Sequence, residues 1–579
     1  MQRTMPRSAD TEDHPGSSVT DPRALDDVET LPRLPPASSS PATFTNIVPV
    51  PNAFYPLSSF DPIWERVTFV TGWLLEGTLD QRKIEEALKR VTGKWRMLAG
   101  RLDSTEQMQN GKKTTKWGIR IPLGEIPLEY TTFALTAVES SVPLTEYVPL
   151  SSETSASRTS LPLHTPSLPF SQFIHPSTPR QYRDWKSKFY PVTCWHITHF
   201  PASLSRAGKS YTCVGFARSH GIFDGTGAAL VMKALIAELS GTDWDVPQLP
   251  PLLPGGERYE NPVETCLSDA LRAHEARPRN YTDYPGYSVM SLNLALRLLK
   301  FHFWQKWKKG AKRRVFIIPK RGVDALMREV RNGLDGVDGE DVRVSSGDII
   351  VAWLLKTIYN SGTPPSTIVH CSNYGSFRGL LASAHSSSQP EASTVANPPK
   401  EHTSDQKIFQ QYPHNAFVPL PYPIFSVSDI QQLSVPVLSY RLAKHRHSFS
   451  LFHPTKAFQL LRNNRVAGPY NGDAQDHFSV SNVSASRILE ADWSLAAASA
   501  SAPGSGPESE VGGSSMRTRS IQTLCGYRYQ ITPNELLLTN SAYISGRLAD
   551  ESVVLDTTLN AVRLGLLIEE VNRICGLET

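Results

Sequence analysis

The residues Arg218 to Gly227, RSHGIFDGTG, hold the pattern in this chain with the sharpest chemical meaning. An imidazole titrates near neutrality, so His220 suits proton abstraction from an alcohol or amine nucleophile. The preceding YTCVGFARSH alternates and carries β-branched and aromatic residues, which predicts a strand ending at His220. A histidine at a strand terminus can point into a cleft rather than into the core. DGTGAALVMKALIAELSG then reads as a helix, with Asp224 at its start to cap orphan N–H groups and meet the helix dipole. Gly225 and Gly227 read as residues that let the backbone turn tightly and approach its neighbours. The pattern is short, and a histidine before a helix also serves for capping or packing, so the surrounding elements decide its meaning.

Those elements mix strands and helices. PVTCWHITHF reads as a strand, as does ESVVLDTTLN near the C-terminus. A helix follows Asp80 as N-cap, with Ile84, Leu88 and Val91 on one face. SSGDIIVAWLLKTIY predicts another, capped by Ser345 or Ser346, and Leu564, Leu567, Ile568, Val571 and Ile574 fit a last amphipathic helix. The class is α/β or α+β. Residues 1–44 are Ser/Pro/Asp-rich and predict a disordered tail. Residues about 133–181, 384–405 and 495–515 read as loops or insertions, the last two disordered.

Composition excludes several function classes. The chain has 579 residues, 40% hydrophobic and 20% charged, with 59 Lys and Arg against 55 Asp and Glu, a net charge of +4. That balance does not describe a general polyanion binder, and no nucleic-acid partner is expected. No run of about 18 apolar residues is present, which argues against a membrane-spanning helix. The N-terminal stretch has no apolar signal region and carries Asp10, Glu12 and Asp13, unlike a transit peptide. The 6 cysteines are scattered, which fits free thiols in a cytoplasmic protein, expected to be a monomer.

Taken together the motifs resemble the HXXXD-type, BAHD-like acyl-CoA-dependent acyltransferases, in particular their fungal, trichothecene 3-O-acetyltransferase-like branch. HGIFDG is similar to the family's HXXXDG. PLSSFD (56–61), WRMLAGRL (95–102), VSSGDIIVAWLL (344–355), SNYGSFRGLL (372–381) and SNVSASRILEADWS (481–494) resemble further family segments, in the family's order. The resemblance implies an α/β, two-lobe, chloramphenicol-acetyltransferase-like fold, each lobe a mixed sheet packed with helices, with an active-site channel between them. The implied boundaries are an N-terminal lobe at 45–255, a crossover linker at 256–312 and a C-terminal lobe at 313–579.

By the same resemblance His220 is the general base that deprotonates an acceptor, which then attacks an acyl-CoA thioester. Asp224 points away from the site and pairs with Arg378, supporting the His loop together with Gly225. Ser481 and Asn482 are candidate oxyanion donors. Acyl-CoA is a co-substrate, with no bound cofactor and no metal, and the acceptor is a small, apolar alcohol or amine of secondary metabolism. The chain departs from the family at its DFGWG box, reduced to Asp492, Trp493 and Ser494, which the resemblance assigns a structural role. Two alternatives keep the same motif: a condensation-type enzyme using a carrier-bound thioester, and a catalytically inactive binding member.

Other features carry less. CWHITH puts Cys194 and His196 on one strand face and His199 on the other, so the three do not converge on a metal. No GxSxG, GxxxxGK[ST] or strand-linked GxGxxG occurs. Residues 297–321 hold 10 Lys or Arg interleaved with Trp304, Trp307 and three Phe. This basic amphipathic segment reads as a solvated face, a weak membrane-surface contact or an attractor of CoA phosphates.

Overall fold

Apolar alternation builds two mixed sheets, and the ends of their strands meet at one cavity. The computed structural model describes residues 49–109, 112–150, 161–275, 284, 286–334, 342–387, 404–463, 467–498, 521–535 and 538–577. They belong to one compact unit, Thr43–Thr579. The expected tail at 1–44 lies outside the described residues, as do 388–403 and 499–515 of the two expected insertions. The ends of those insertions are ordered. Residues 384–387 finish the helix Arg378–Ser387, Ser404–Gln410 is helical, and Ala496 is fully buried.

The first sheet has five strands in the order Gln522–Ile531, Thr68–Glu76, Tyr211–Ser219, Cys194–Phe200, Ala134–Glu139, antiparallel except for its last pair. Ala134–Glu139 lies inside the stretch 133–181 read as loop; a short half-buried edge strand is hidden there by flanking Ser and Pro. The second sheet has eight strands. Its centre runs Ile368–Ser376, Asp476–Asn482, Ser541–Arg547, Val553–Leu559, Lys312–Ile318, with the first two pairings parallel and the next two antiparallel. Neither sheet is confined to one side of residues 256–312. Gln522–Ile531 completes the first sheet from the far end of the chain, and His164–Pro166 pairs with Lys312–Ile318 in the second.

Each sheet has its own apolar core, one around Trp73, Trp95 and Trp185, the other around Trp353, Phe478 and Leu555. Val553–Leu559 is buried along its whole length, so its sequence alternation reflects two different packing partners rather than a wet face. The helix Ser346–Ile358 starts at Ser345, which forms a reciprocal capping box with Asp348. Asp80 caps Gln81–Lys94 by accepting from the Arg82 amide. The final helix is tied to the second sheet at Arg563, which donates to Asp476 Oδ2 at 2.5 Å and Asn540 Oδ1 at 2.6 Å.

The basic segment spans three elements. The helix Leu292–Phe303 passes into a wide turn, Trp304–Lys308, and then into the strand Lys312–Ile318. Arg313 is therefore no surface charge: it forms a two-pronged ion pair with the fully buried Asp556.

Candidate active site

His220 follows directly on the strand Tyr211–Ser219, and its amide extends the ladder by donating to Val67 O at 2.9 Å. The ring lines a cavity of about 180 Å³ that takes residues from both sheets. Arg218, Phe69, Arg528 and Gln530 come from the first, and Ser479, Ser481, Ser541 and Tyr543 from the second. Trp64 stacks on the imidazole at 4.6 Å between centroids and 13°, and Phe69 meets it edge-on at 5.2 Å. Nδ1 is buried with no hydrogen-bond partner on another described residue. Burial in this aromatic slot pushes the His220 pKa down to about 4; its own backbone carbonyl raises it, Arg218 lowers it further and Asp224 raises it. The ring is therefore neutral at physiological pH, with a lone pair free to accept a proton.

The Asp224 carboxylate is taken up by structural contacts. Oδ1 caps the helix Gly225–Ser240 by accepting from Gly227 N at 2.9 Å, and Oδ2 accepts from Arg378 Nη2 at 2.8 Å. Arg378 also donates to the carbonyls of Tyr412 and His414, at 2.8 and 2.7 Å. The pair is 3% and 6% exposed at its side chains, so its charges are compensated in a dry setting. Neither Gly225 nor Gly227 has a positive φ, so the motif glycines do not supply a turn. Their role is close approach: a Cβ at Gly227 would fall 1.9 Å from Pro413 O, and one at Gly225 3.0 Å from Val483 Cγ1.

The residues 412–416 form a clamp that sequence reasoning missed. His414 Nδ1 donates to Ile222 O at 2.7 Å, and Asn415 Nδ2 donates to His220 O at 2.8 Å. Asn415 is itself oriented by Asp61, whose Oδ1 accepts from its amide and side chain, both at 2.9 Å, while Ser58 donates to Oδ2. Burial raises the Asp61 pKa to about 7 and those donors oppose it. YPHNA matches no motif, so only coordinates reveal it.

Of the remaining expected residues, Ser481 and Asn482 both line the cavity at the end of Asp476–Asn482. Asn482 Oδ1 is engaged by the amide and hydroxyl of Ser484, at 3.1 and 2.7 Å. Asp492 lies elsewhere, capping the short helix Trp493–Ala496 through Ser494 N, while Trp493 packs edge-on against Trp73. His196 is buried in the first sheet, bonded to Thr136 Oγ1 at 2.7 Å, and His199 faces Thr212. Among the described residues no group of three His, Cys, Asp or Glu is gathered as metal ligands, and no helix is long and apolar enough to cross a membrane.

No family model matches the chain. The O-acyltransferase pboC of Aspergillus ustus is 27% identical over 192 residues, 33% of this chain. The alignment spans 36% of that relative, about a third of its length. Among solved structures, F. graminearum TRI101 complexed with coenzyme A and T-2 mycotoxin superposes with a TM-score of 0.55 at 13% identity, covering 89% of this chain and 97% of that one. F. sporotrichioides TRI101 complexed with coenzyme A and T-2 gives a TM-score of 0.51 at 13% identity, over 89% and 96%. The chain shares the fold of these structures, which is the mixed α/β fold that the family resemblance implied.

The ion pair generates a stability prediction. Arg378→Met leaves Asp224 buried and uncompensated, and should lower unfolding free energy by about 3–5 kcal/mol in urea titrations. The double variant Arg378→Met, Asp224→Asn should recover part of that loss. A single variant as stable as the wild type would show that the pair does not hold the loop.

Proposed function

We propose that this chain transfers an acyl group from acyl-CoA to a hydroxyl, or an amine, of a small acceptor, with His220 as general base. The observation that carries this reading is the neutral His220 on the wall of a cavity between two sheets, its loop clamped from behind by Asp224 and Arg378. The acceptor's O–H proton passes to the imidazole as its oxygen attacks the thioester carbonyl carbon. A C–O bond forms, the C–S bond breaks, and the imidazolium returns the proton to the departing thiolate. Because burial makes the imidazolium costly, the proton is held only briefly. No covalent enzyme intermediate is required, since an activated thioester needs only proximity and a base. Ser481 and Asn482 supply the oxyanion donors; Ser484 engages only the amide oxygen of Asn482, which orients the side chain and leaves Nδ2 to donate. Gly225 and Asp492 act in support, the first by close packing and the second at a distance from the cavity. The complexes of the TRI101 structures with coenzyme A support this choice of donor, and the name of the O-acyltransferase relative supports transfer of an acyl group to oxygen. The protein acts as a cytoplasmic monomer of two lobes, a C-terminal strand lent to the N-terminal sheet.

Incubating the protein with acetyl-, malonyl- and longer acyl-CoAs and pooled alcohols should release free thiol. His220→Ala should reduce that rate by about 100-fold or more with the fold intact. Unchanged turnover in the variant would remove the base from the mechanism.

The segment 292–309 supports contact with an anionic membrane surface as well. Leu292, Leu296, Leu299, Phe303 and Trp307 are 55–78% exposed on one side of the helix and turn, beside the exposed Lys300, Lys306 and Lys308. On the opposite side of the same helix, Leu298 and His302 line the cavity, so an apolar acceptor dissolved in lipid would lie next to the site. The wild type should co-sediment with phosphatidylserine-containing vesicles, less so at high salt, and Phe303→Glu with Trp307→Glu should not. Equal recovery of both proteins in the supernatant would contradict the contact.

A further inference from the structure

Two guanidinium groups in the wall of the His220 cavity form no ion pair with a carboxylate among the described residues. Arg218 and Arg528 are each 1% exposed and both line the cavity. Register places them on one face of the first sheet. Phe69 pairs with both Arg218 and Gln530, while Thr71 pairs with Phe216 and Arg528, so one strand separates the two arginines at an offset of two residues. Arg218 and His220 also share a face by alternation, with Cα atoms about 7 Å apart along the strand. An anionic group held by Arg218 would thus sit within a few bonds of the atoms that react at His220.

The charges around them are already spoken for. Asp224 is taken by Arg378 and the helix N-terminus, and Asp556 by both prongs of Arg313 and the amide of Arg528. Arg218 Nη1 reaches Thr71 Oγ1 at 3.2 Å and Phe216 O at 3.4 Å, its Nε has no partner among the described residues, and its guanidinium lies over the Phe69 and Phe216 rings. In Arg528, Nε, Nη1 and Nη2 are all buried without a hydrogen-bond partner among the described residues. Burial lowers both pKa values, to about 9 for Arg218, where Arg528 lowers it further and Asp224 raises it, and to about 10 for Arg528, where the charge of Asp556 raises it, so both remain cationic at neutral pH. Burial pushes the neighbouring Tyr543 phenol up, so it stays neutral and offers no counter-charge. A buried guanidinium without a counter-charge destabilises the fold, a penalty that a bound anion removes.

The geometry points to an anion subsite: Arg528, with Arg218, receives a carboxylate carried into the His220 cavity on one of the two substrates. The carboxylate accepts from the free N–H groups, in the two-pronged manner that suits a guanidinium. Two sources share this chemistry. One is a dicarboxylic acyl group, such as malonyl or succinyl, on the thioester; the other is an acceptor that bears its own acid. This deepens the acyl-transfer reading and rests on it for the choice of substrates.

The test uses the full chain and its Arg528→Met variant. By calorimetry, the wild type should bind malonyl-CoA or succinyl-CoA at least about 10-fold more tightly than butyryl-CoA, or turn over a hydroxy acid by a similar factor better than its methyl ester. The first result assigns the carboxylate to the acyl group and the second to the acceptor. In Arg528→Met the preference should fall to about 2-fold or less. Its thermal midpoint should be equal or higher, because an uncompensated charge has left the interior; a structural arginine would give a lower one. Free malonate should raise the wild-type midpoint while dimethyl malonate does not, and neither should shift the variant. That last arm needs no acyl transfer, so it separates failure of the subsite from failure of the enzyme assignment. The subsite is overturned if the wild type shows no preference for the acid in either arm, if Arg528→Met keeps the preference, or if the variant is destabilised.

Discussion

The site depends on the ion pair between Asp224 and Arg378. One carboxylate caps the helix Gly225–Ser240 with one oxygen and meets the guanidinium with the other. The same guanidinium gathers the carbonyls of Tyr412 and His414. A segment remote in sequence is thereby laid across the motif loop, and His414 and Asn415 reach the backbone at Ile222 and His220. Asp224 is thus a positioning residue. In the proposed mechanism its effect passes through the backbone that carries the imidazole.

What the clamp presents is an imidazole in a dry aromatic slot. Trp64 and Phe69 exclude water from the ring, and that exclusion lowers its pKa. The low dielectric acts in two ways. It keeps His220 neutral, and it magnifies every fixed charge in the wall, Arg218 and Arg528 included. Arg313 belongs to the same logic: its charge is spent on Asp556 in the interior.

The local chemistry was legible in the sequence where it is local. His220 at a strand end, Asp224 at a helix start and the Asp80 and Ser345 caps all follow from short-range rules. The Arg378 partner came from the family resemblance, since no spacing rule joins residues 154 apart. The clamp at 412–416 was invisible for the same reason, and so was the passage of Gln522–Ile531 into the first sheet. Gly225 and Gly227 misled as turn residues because composition cannot distinguish a positive φ from a neighbour that leaves no room for a Cβ. Arg218 stood in plain view inside the motif. A charged residue in an otherwise apolar strand is a signal that could have been read, since a charge so placed needs a partner.

The central claim is that the fold holds a neutral imidazole in a water-excluded wall. The direct measurement is the titration of His220 by NMR in protein with labelled histidine, assigned by the resonance lost in His220→Ala. Burial predicts a midpoint near 4, with the ring neutral throughout the physiological range. A midpoint of about 6–7, the value of a solvated histidine, would contradict it.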